Sequence, residues 1–152
     1  MNLGRDDHWL EVELRSIWRG HFSDVVEANP VGIGWGRRAR SRFGSIRLMK
    51  DGSSRILING AFRSRRVPVA VVRATIAHEL VHYAHGFSSK HPQLYRHPHH
   101  GGIVDRELVA RGLGEVLDLQ KSWTKEEWEQ IAPPRQPRRH RLKWQRVPFR
   151  LF

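Results

Sequence analysis

The run His78-Glu79-Leu80-Val81-His82 sets two imidazoles four residues apart with a carboxyl between them. On a helix that spacing puts both rings on one face, one turn apart. Their nitrogens can then converge on one zinc ion at about 2.0–2.1 Å. Glu79 lies off the ligand line, beside the remaining coordination position. From there it can take a proton from water and pass it to a leaving amine. The neighbouring positions Val69, Val72, Ile76, Leu80 and Tyr83 form an apolar stripe. Two histidines and a glutamate inside such a stripe are costly to bury without a partner, and a metal ion supplies one. The chain has no cysteine, which excludes disulfides, thiol catalysis and thiolate zinc sites. Any metal must be held by His, Asp or Glu.

A zinc ion that performs catalysis keeps three protein ligands and one open position. Seven of the ten histidines fall between residues 78 and 100: His78, His82, His85, His91, His97, His99 and His100. The metzincin spacing fails, because it needs glycine where His85 stands and histidine where Ser88 stands. Peptide deformylase combines the same motif with a cysteine ligand, which is absent here. Two downstream candidates remain. His100 opens an expected helix beside Gly101-Gly102, and Glu107 lies two turns further along it. His85 reads as a cation at a helix C-terminus and His91 as a solvated loop residue. His97, His99 and Tyr95 could orient substrate or stabilise an oxyanion.

The elements that must position these groups follow from periodicity. Residues 6–28 predict an amphipathic helix capped by Asp6 or Asp7, with Leu10, Leu14, Ile17, Trp18 and Phe22 on one face. Asn29-Pro30 ends it. Residues 31–66 switch to a period of two, with strands at 31–35, 43–48 and 55–59 and a hairpin signal at Asp51-Gly52. The expectation is a short, mainly antiparallel three-stranded sheet. Residues 68–85 predict the helix that carries the motif, with Pro68 at its start and Gly86 at its stop. A loop over 86–99, a helix over about 100–113 and a short helix over 124–131 complete the body. Thr124 and Glu127 match a capping box for that last helix. The fold class is therefore α+β, with a domain over residues 1–132 and a tail over 133–152.

Charge adds a second theme. The formal net charge is +12, of which the tail holds +7 and the body +5. Arg37, Arg38, Arg40 and Arg42 crowd the first hairpin, with Arg47 close behind. Such a row either protects a strand edge or contacts phosphate. In the tail, Arg138, Arg139 and Arg141 stand near Trp144, a mixture suited to single-stranded nucleic acid. The alternative is a tail that packs back on the body through Leu142, Trp144, Val147 and Phe149. No stretch reaches the ~18 apolar residues of a membrane span, and Met1–Asp7 lacks the layout of a signal peptide. The expectation is a cytoplasmic monomer, with association to the nucleoid and no membrane partner.

The run Arg55-Ile56-Leu57-Ile58-Asn59, the segment Val69–Ala77, the motif His78–His82 and the pair His100-Gly101, followed by Leu108 and Gly112-Leu113, resemble the SprT-like zinc metallopeptidases over residues 6–115. The resemblance implies a zincin-like domain that holds Zn2+ through His78, His82 and His100, with Glu79 as catalytic base. It implies a zinc endopeptidase acting on proteins bound or crosslinked to DNA. The chain departs from the family in three ways. Ile103-Val104-Asp105 replace the usual aromatic after His-Gly. The extra histidines put His97 and His99 forward as alternative ligands. The cysteine-rich zinc ribbon carried by many members is missing, so nucleic-acid contact would fall to the arginines and the tail. Two other functions fit the same residues: a nucleic-acid-binding adaptor with a structural or vestigial zinc site, and a zinc protease unrelated to nucleic acid.

Overall fold

The computed structural model describes residues 4–137. Arg138, Arg139, Arg141 and Trp144 of the tail lie outside them. The described chain is a small α+β domain of four α-helices and a three-stranded sheet. Helix α1 spans Asp7–His21. Asp6 caps it, its Oδ1 accepting from Trp9 N at 2.8 Å. The helix ends seven residues short of the expected 28, once Leu10, Leu14, Ile17 and Trp18 are buried and Phe22 has turned into the core.

Strands β1 (Val31–Trp35), β2 (Gly44–Leu48) and β3 (Ser54–Ile58) follow. Their order is β1-β3-β2, with β3 parallel to β1 and antiparallel to β2. The expected β2–β3 hairpin is present. Met49 N bonds Ser53 O at 2.7 Å across a turn in which Gly52 takes φ +85°. The expectation of a mainly antiparallel sheet is corrected to a mixed one. Residues 36–43 do not close a hairpin but carry the chain across the end of β3 to its far side.

Asn59, 3% exposed, pins that crossing. Its Nδ2 donates to Ala39 O at 2.6 Å and Arg42 O at 2.9 Å, and its Oδ1 accepts from Ala39 N at 3.1 Å and Ala61 N at 3.0 Å. Both donors and both acceptor sites of the amide are thus used inside the core.

Helix α2 (Val69–Ala84) is buried on nearly every face, from Val71 and Val72 to Val81 and Tyr83. A helix apolar all round belongs at the centre of a domain, and α2 touches α1, β2, β3 and the two helices that follow. Its C-terminus is a Schellman turn: Phe87 N bonds His82 O at 2.9 Å, and Gly86 N bonds Tyr83 O at 3.1 Å. Gly86 has φ +81°, and a Cβ there would meet Pro92 O at 2.2 Å.

Helix α3 is Ile103–Ala110, preceded by a 3-10 turn at His100–Gly102 in which Gly101 and Gly102 both have positive φ. It is shorter at both ends than the expected 100–113. Helix α4 is Gly114–Ile131, more than twice the expected length. The expected capping box is corrected with it, because Thr124 lies inside the helix and its hydroxyl donates to Gln120 O at 2.6 Å. Trp123 and Trp128 of α4 dock against Phe62, with ring centroids 6.2 and 5.6 Å away, and Phe43 packs on both Phe62 and Trp128.

Asn59→Ala is expected to destabilise the domain by about 2–4 kcal/mol, because it strips partners from several buried main-chain groups at once. Urea unfolding with an unchanged m-value measures it.

Candidate metal centre

Helix α2 presents His78 and His82 on one face, as their spacing requires. The third imidazole comes from the loop after it. His99 Nε2 lies 3.2 Å from His78 Nε2 and 2.9 Å from His82 Nε2, and the two helix nitrogens are 3.0 Å apart. These three are close enough to hold one metal ion. An ion at the zinc–nitrogen distance of about 2.0–2.1 Å fits a triangle of that size. No carbonyl or carboxylate bonds these nitrogens among the described residues; each Nε2 faces only the other two. Three lone pairs aimed at one point suit a cation.

The structure brings His99, and not the expected His100, to the pair. His100 is exposed and begins the 3-10 turn. His97 and His99 are exposed too, so position and not burial selects the third ring: the described residues that could share a metal are His78, His82 and His99 alone. Glu107, the other expected candidate, is engaged elsewhere. Its Oε1 binds Arg111 at 2.9 Å, and its Oε2 lies 3.5 Å from His85 Nε2. His91 is also tied down, with Nε2 2.6 Å from Val26 O.

Loop 86–99 is held on the core side. Ser54, buried in β3, donates to Ser88 O at 2.6 Å, and Asn29 Oδ1 accepts from Lys90 N at 3.0 Å. Ser89 Oγ donates to Tyr83 O at 2.8 Å. Ser88 takes φ +56°, a left-handed conformation that a serine adopts at some cost.

Burial sets the electrostatics. It pushes His82 down to about 3, with His78, His99 and His85 adding to the shift. It pushes His78 down to about 4, with His99 adding and Asp105 opposing. Both rings are therefore neutral at pH 7 and keep their lone pairs for a metal. Burial pushes the Glu79 carboxyl up to about 7, against the pull of the Arg42 charge. Glu79 is 5% exposed and joins no ion pair among the described residues.

Glu79 and the three histidines line a cleft of about 810 Å³. Gly44, Ser45 and Ile46 of β2 form one wall, and Asp105, Leu117 and Lys121 stand on the helical side. Gly44 is a requirement of the site that the sequence did not announce. A Cβ there would come within 2.8 Å of both Glu79 Oε1 and Thr75 Cγ2. Thr75 is in turn fixed by Gln120 Nε2 at 2.9 Å.

The expected arginines separate. Arg37, Arg38 and Arg42 are exposed. Arg40 serves the fold instead, pairing with Glu129 and donating to Pro133 O at 2.9 Å, while its own carbonyl accepts from Trp128 Nε1. Among the described residues no helix is long and apolar enough to cross a membrane. No protein-family model, curated protein or solved structure matches this chain.

His99→Ala is expected to abolish stoichiometric metal binding, whereas His100→Ala is expected to keep it. Metal content after dialysis, measured by inductively coupled plasma mass spectrometry, distinguishes the two.

Proposed function

We propose that the protein is a zinc-dependent endopeptidase of SprT-like type. The observation that carries this reading is the buried Glu79 carboxyl beside three convergent imidazoles, in a cleft walled by an edge strand. His78, His82 and His99 would hold the ion. When bound, zinc supplies Lewis acidity, polarising a carbonyl and making water easier to deprotonate.

The chain's own groups do the rest. β2 is paired on one side only, to β3, so its other edge is available to an extended peptide by main-chain hydrogen bonds. That edge orients the scissile bond past the three histidines. Glu79 takes a proton from the attacking water at a carboxylate oxygen and delivers it to the leaving amine. Its burial supports this role, because removal from bulk water raises the proton affinity of the carboxylate. Ile46, Phe87 and Leu117 line the cleft with apolar surface and limit the water around the reacting groups.

The substrates we infer are proteins lying on or linked to nucleic acid. Net charge +12 supports this, as do Arg37, Arg38 and Arg42, which pair with no carboxylate among the described residues. Arg42 lies on the rim of the cleft itself. Arg47 faces Arg55 across the β2–β3 ladder, a like-charge pair that costs stability unless an anion lies between.

Glu79→Gln is expected to retain zinc and fold while losing about 10²–10⁴-fold in peptide hydrolysis. Single-turnover assays on a casein substrate measure this: a variant with wild-type turnover removes Glu79 as the base, and a wild type that cleaves nothing favours the adaptor reading. Replacing Arg37, Arg38 and Arg42 together by Ala is expected to flatten the salt dependence of duplex-DNA binding, each lost phosphate contact reducing the log–log slope by about 0.9. Fluorescence anisotropy across a salt series reads that slope.

A further inference from the structure

The three convergent nitrogens use one side of the His82 ring and leave the other unexplained. His82 Nδ1 is buried and has no hydrogen-bond partner among the described residues, and the same is true of His85 Nδ1. The two residues are 6% and 3% exposed. Positions three apart at the end of one helix are neighbours on its surface. Two buried, unsatisfied ring nitrogens at adjacent positions call for a common explanation.

The far nitrogens assign their roles. As a metal ligand through Nε2, His82 carries its proton on Nδ1 and is a donor there. His85 Nε2 lies 3.5 Å from Glu107 Oε2. A carboxylate at that place favours the proton on Nε2, which leaves His85 Nδ1 an acceptor. Donor and acceptor are thus complementary.

Glu107 is held in turn. Its other oxygen receives Arg111 Nε at 2.9 Å, and Arg111 reaches Asp24 Oδ1 at 2.6 Å and His21 O at 2.9 Å. The line runs from the metal centre through α3 to the end of α1. On the open side, the Tyr95 ring stands edge-on to His85 with centroids 4.9 Å apart and helps exclude bulk water.

We propose that Glu107 and His85 are positioning residues for the metal centre. Glu107 fixes the tautomer of His85, and His85 Nδ1 receives the Nδ1–H of His82 across one buried water molecule, which orients His82 and makes it a stronger ligand. A buried water is stable where it gains several polar partners, and these two nitrogens supply the first two. The proposal rests on the metal-binding reading above, but not on peptidase activity. Outer partners of metal-ligating histidines are worth about 10–100-fold in metal affinity.

The test is zinc affinity of the full chain by chelator competition, together with imidazole 15N shifts of the zinc-loaded wild type. His82 is expected to be protonated at Nδ1 and His85 at Nε2. Glu107→Leu and His85→Phe are each expected to weaken zinc binding by about 10–100-fold, with Glu107→Gln recovering part of the loss through its amide oxygen. Arg111→Gln separates positioning from stability: it loosens Glu107 without removing its carboxylate, so it is expected to lower the melting temperature and to weaken zinc binding less than Glu107→Leu does. The proposal is overturned if His85 is protonated at Nδ1, if Glu107→Leu and His85→Phe both bind zinc like the wild type, or if Arg111→Gln weakens zinc as much as Glu107→Leu. A wild type that binds no zinc removes the metal reading itself, and the relay with it.

Discussion

Burying Glu79 and His82 in the middle of α2 takes a carboxyl and an imidazole out of water, and the surrounding side chains are almost all hydrocarbon. Such burial is tolerated only where a partner replaces the lost solvent. The three Nε2 atoms stand within 3.2 Å of one another, and an ion among them is the partner that would replace the solvent. Much of the fold follows from holding that arrangement still. Helix α2 is enclosed by α1, α3, α4 and the sheet, so neither His78 nor His82 can move without the core moving. Room for the carboxyl comes from the missing side chain at Gly44. His99, the one of the three outside α2, is carried by a loop whose first half is anchored to β3 and to Asn29.

Two buried asparagines do the tying. Asn59 saturates its amide on the crossing loop and the turn after β3. Asn29 does similar service at the opposite end of the sheet. Its amide nitrogen donates to Ser54 Oγ at 2.8 Å and Gly52 O at 3.0 Å, and its main chain exchanges hydrogen bonds with the Tyr83 hydroxyl. Asparagine suits both places because one short side chain offers two donors and an acceptor with two lone pairs. The first hub places the rim of the cleft at Arg42, and the second places the path that leads to His99. Neither residue touches the metal centre, and both set where its walls stand.

The parts of this arrangement that were legible in the sequence are the parts written in local spacing. His78, Glu79 and His82 share a face because four residues make a turn, and the strands at 31–35, 44–48 and 54–58 fall where apolar alternation and Asp51-Gly52 put them. Sheet order was not legible. Alternation reports which side chains face the core but not which strand lies alongside, and it is the pairing of β3 between β1 and β2 that takes residues 36–43 across the end of β3. The third histidine failed for a related reason. His99 and His100 are adjacent, and two consecutive glycines with φ +61° and +70° follow them, so which ring turns inward depends on backbone angles that residue types leave open. Thr124 and Glu127 imitate a helix start and so suggest a short α4, whereas the tryptophans at 123 and 128 hold a continuous helix against Phe62.

Whether such a centre works or merely braces depends on how much of the fold it supports. A structural zinc site closes its coordination with four protein ligands and contributes directly to folding, whereas a catalytic one keeps three and leaves a position open. Among the described residues three side chains converge here and no fourth joins them. All three come from one helix and the loop after it, so an ion among them would cross-link only a short stretch of chain. The contacts that assemble the domain lie elsewhere, in the aromatic group of Phe43, Phe62, Trp123 and Trp128 and in the packing of α1 on α2 through Trp18 and Tyr83. None of these depends on a metal. The centre also opens onto a cleft, where a brace would be sealed. The three imidazoles stand beside a buried carboxyl at the edge of a cleft, away from the contacts that assemble the fold, so an ion held among them would face whatever enters that cleft.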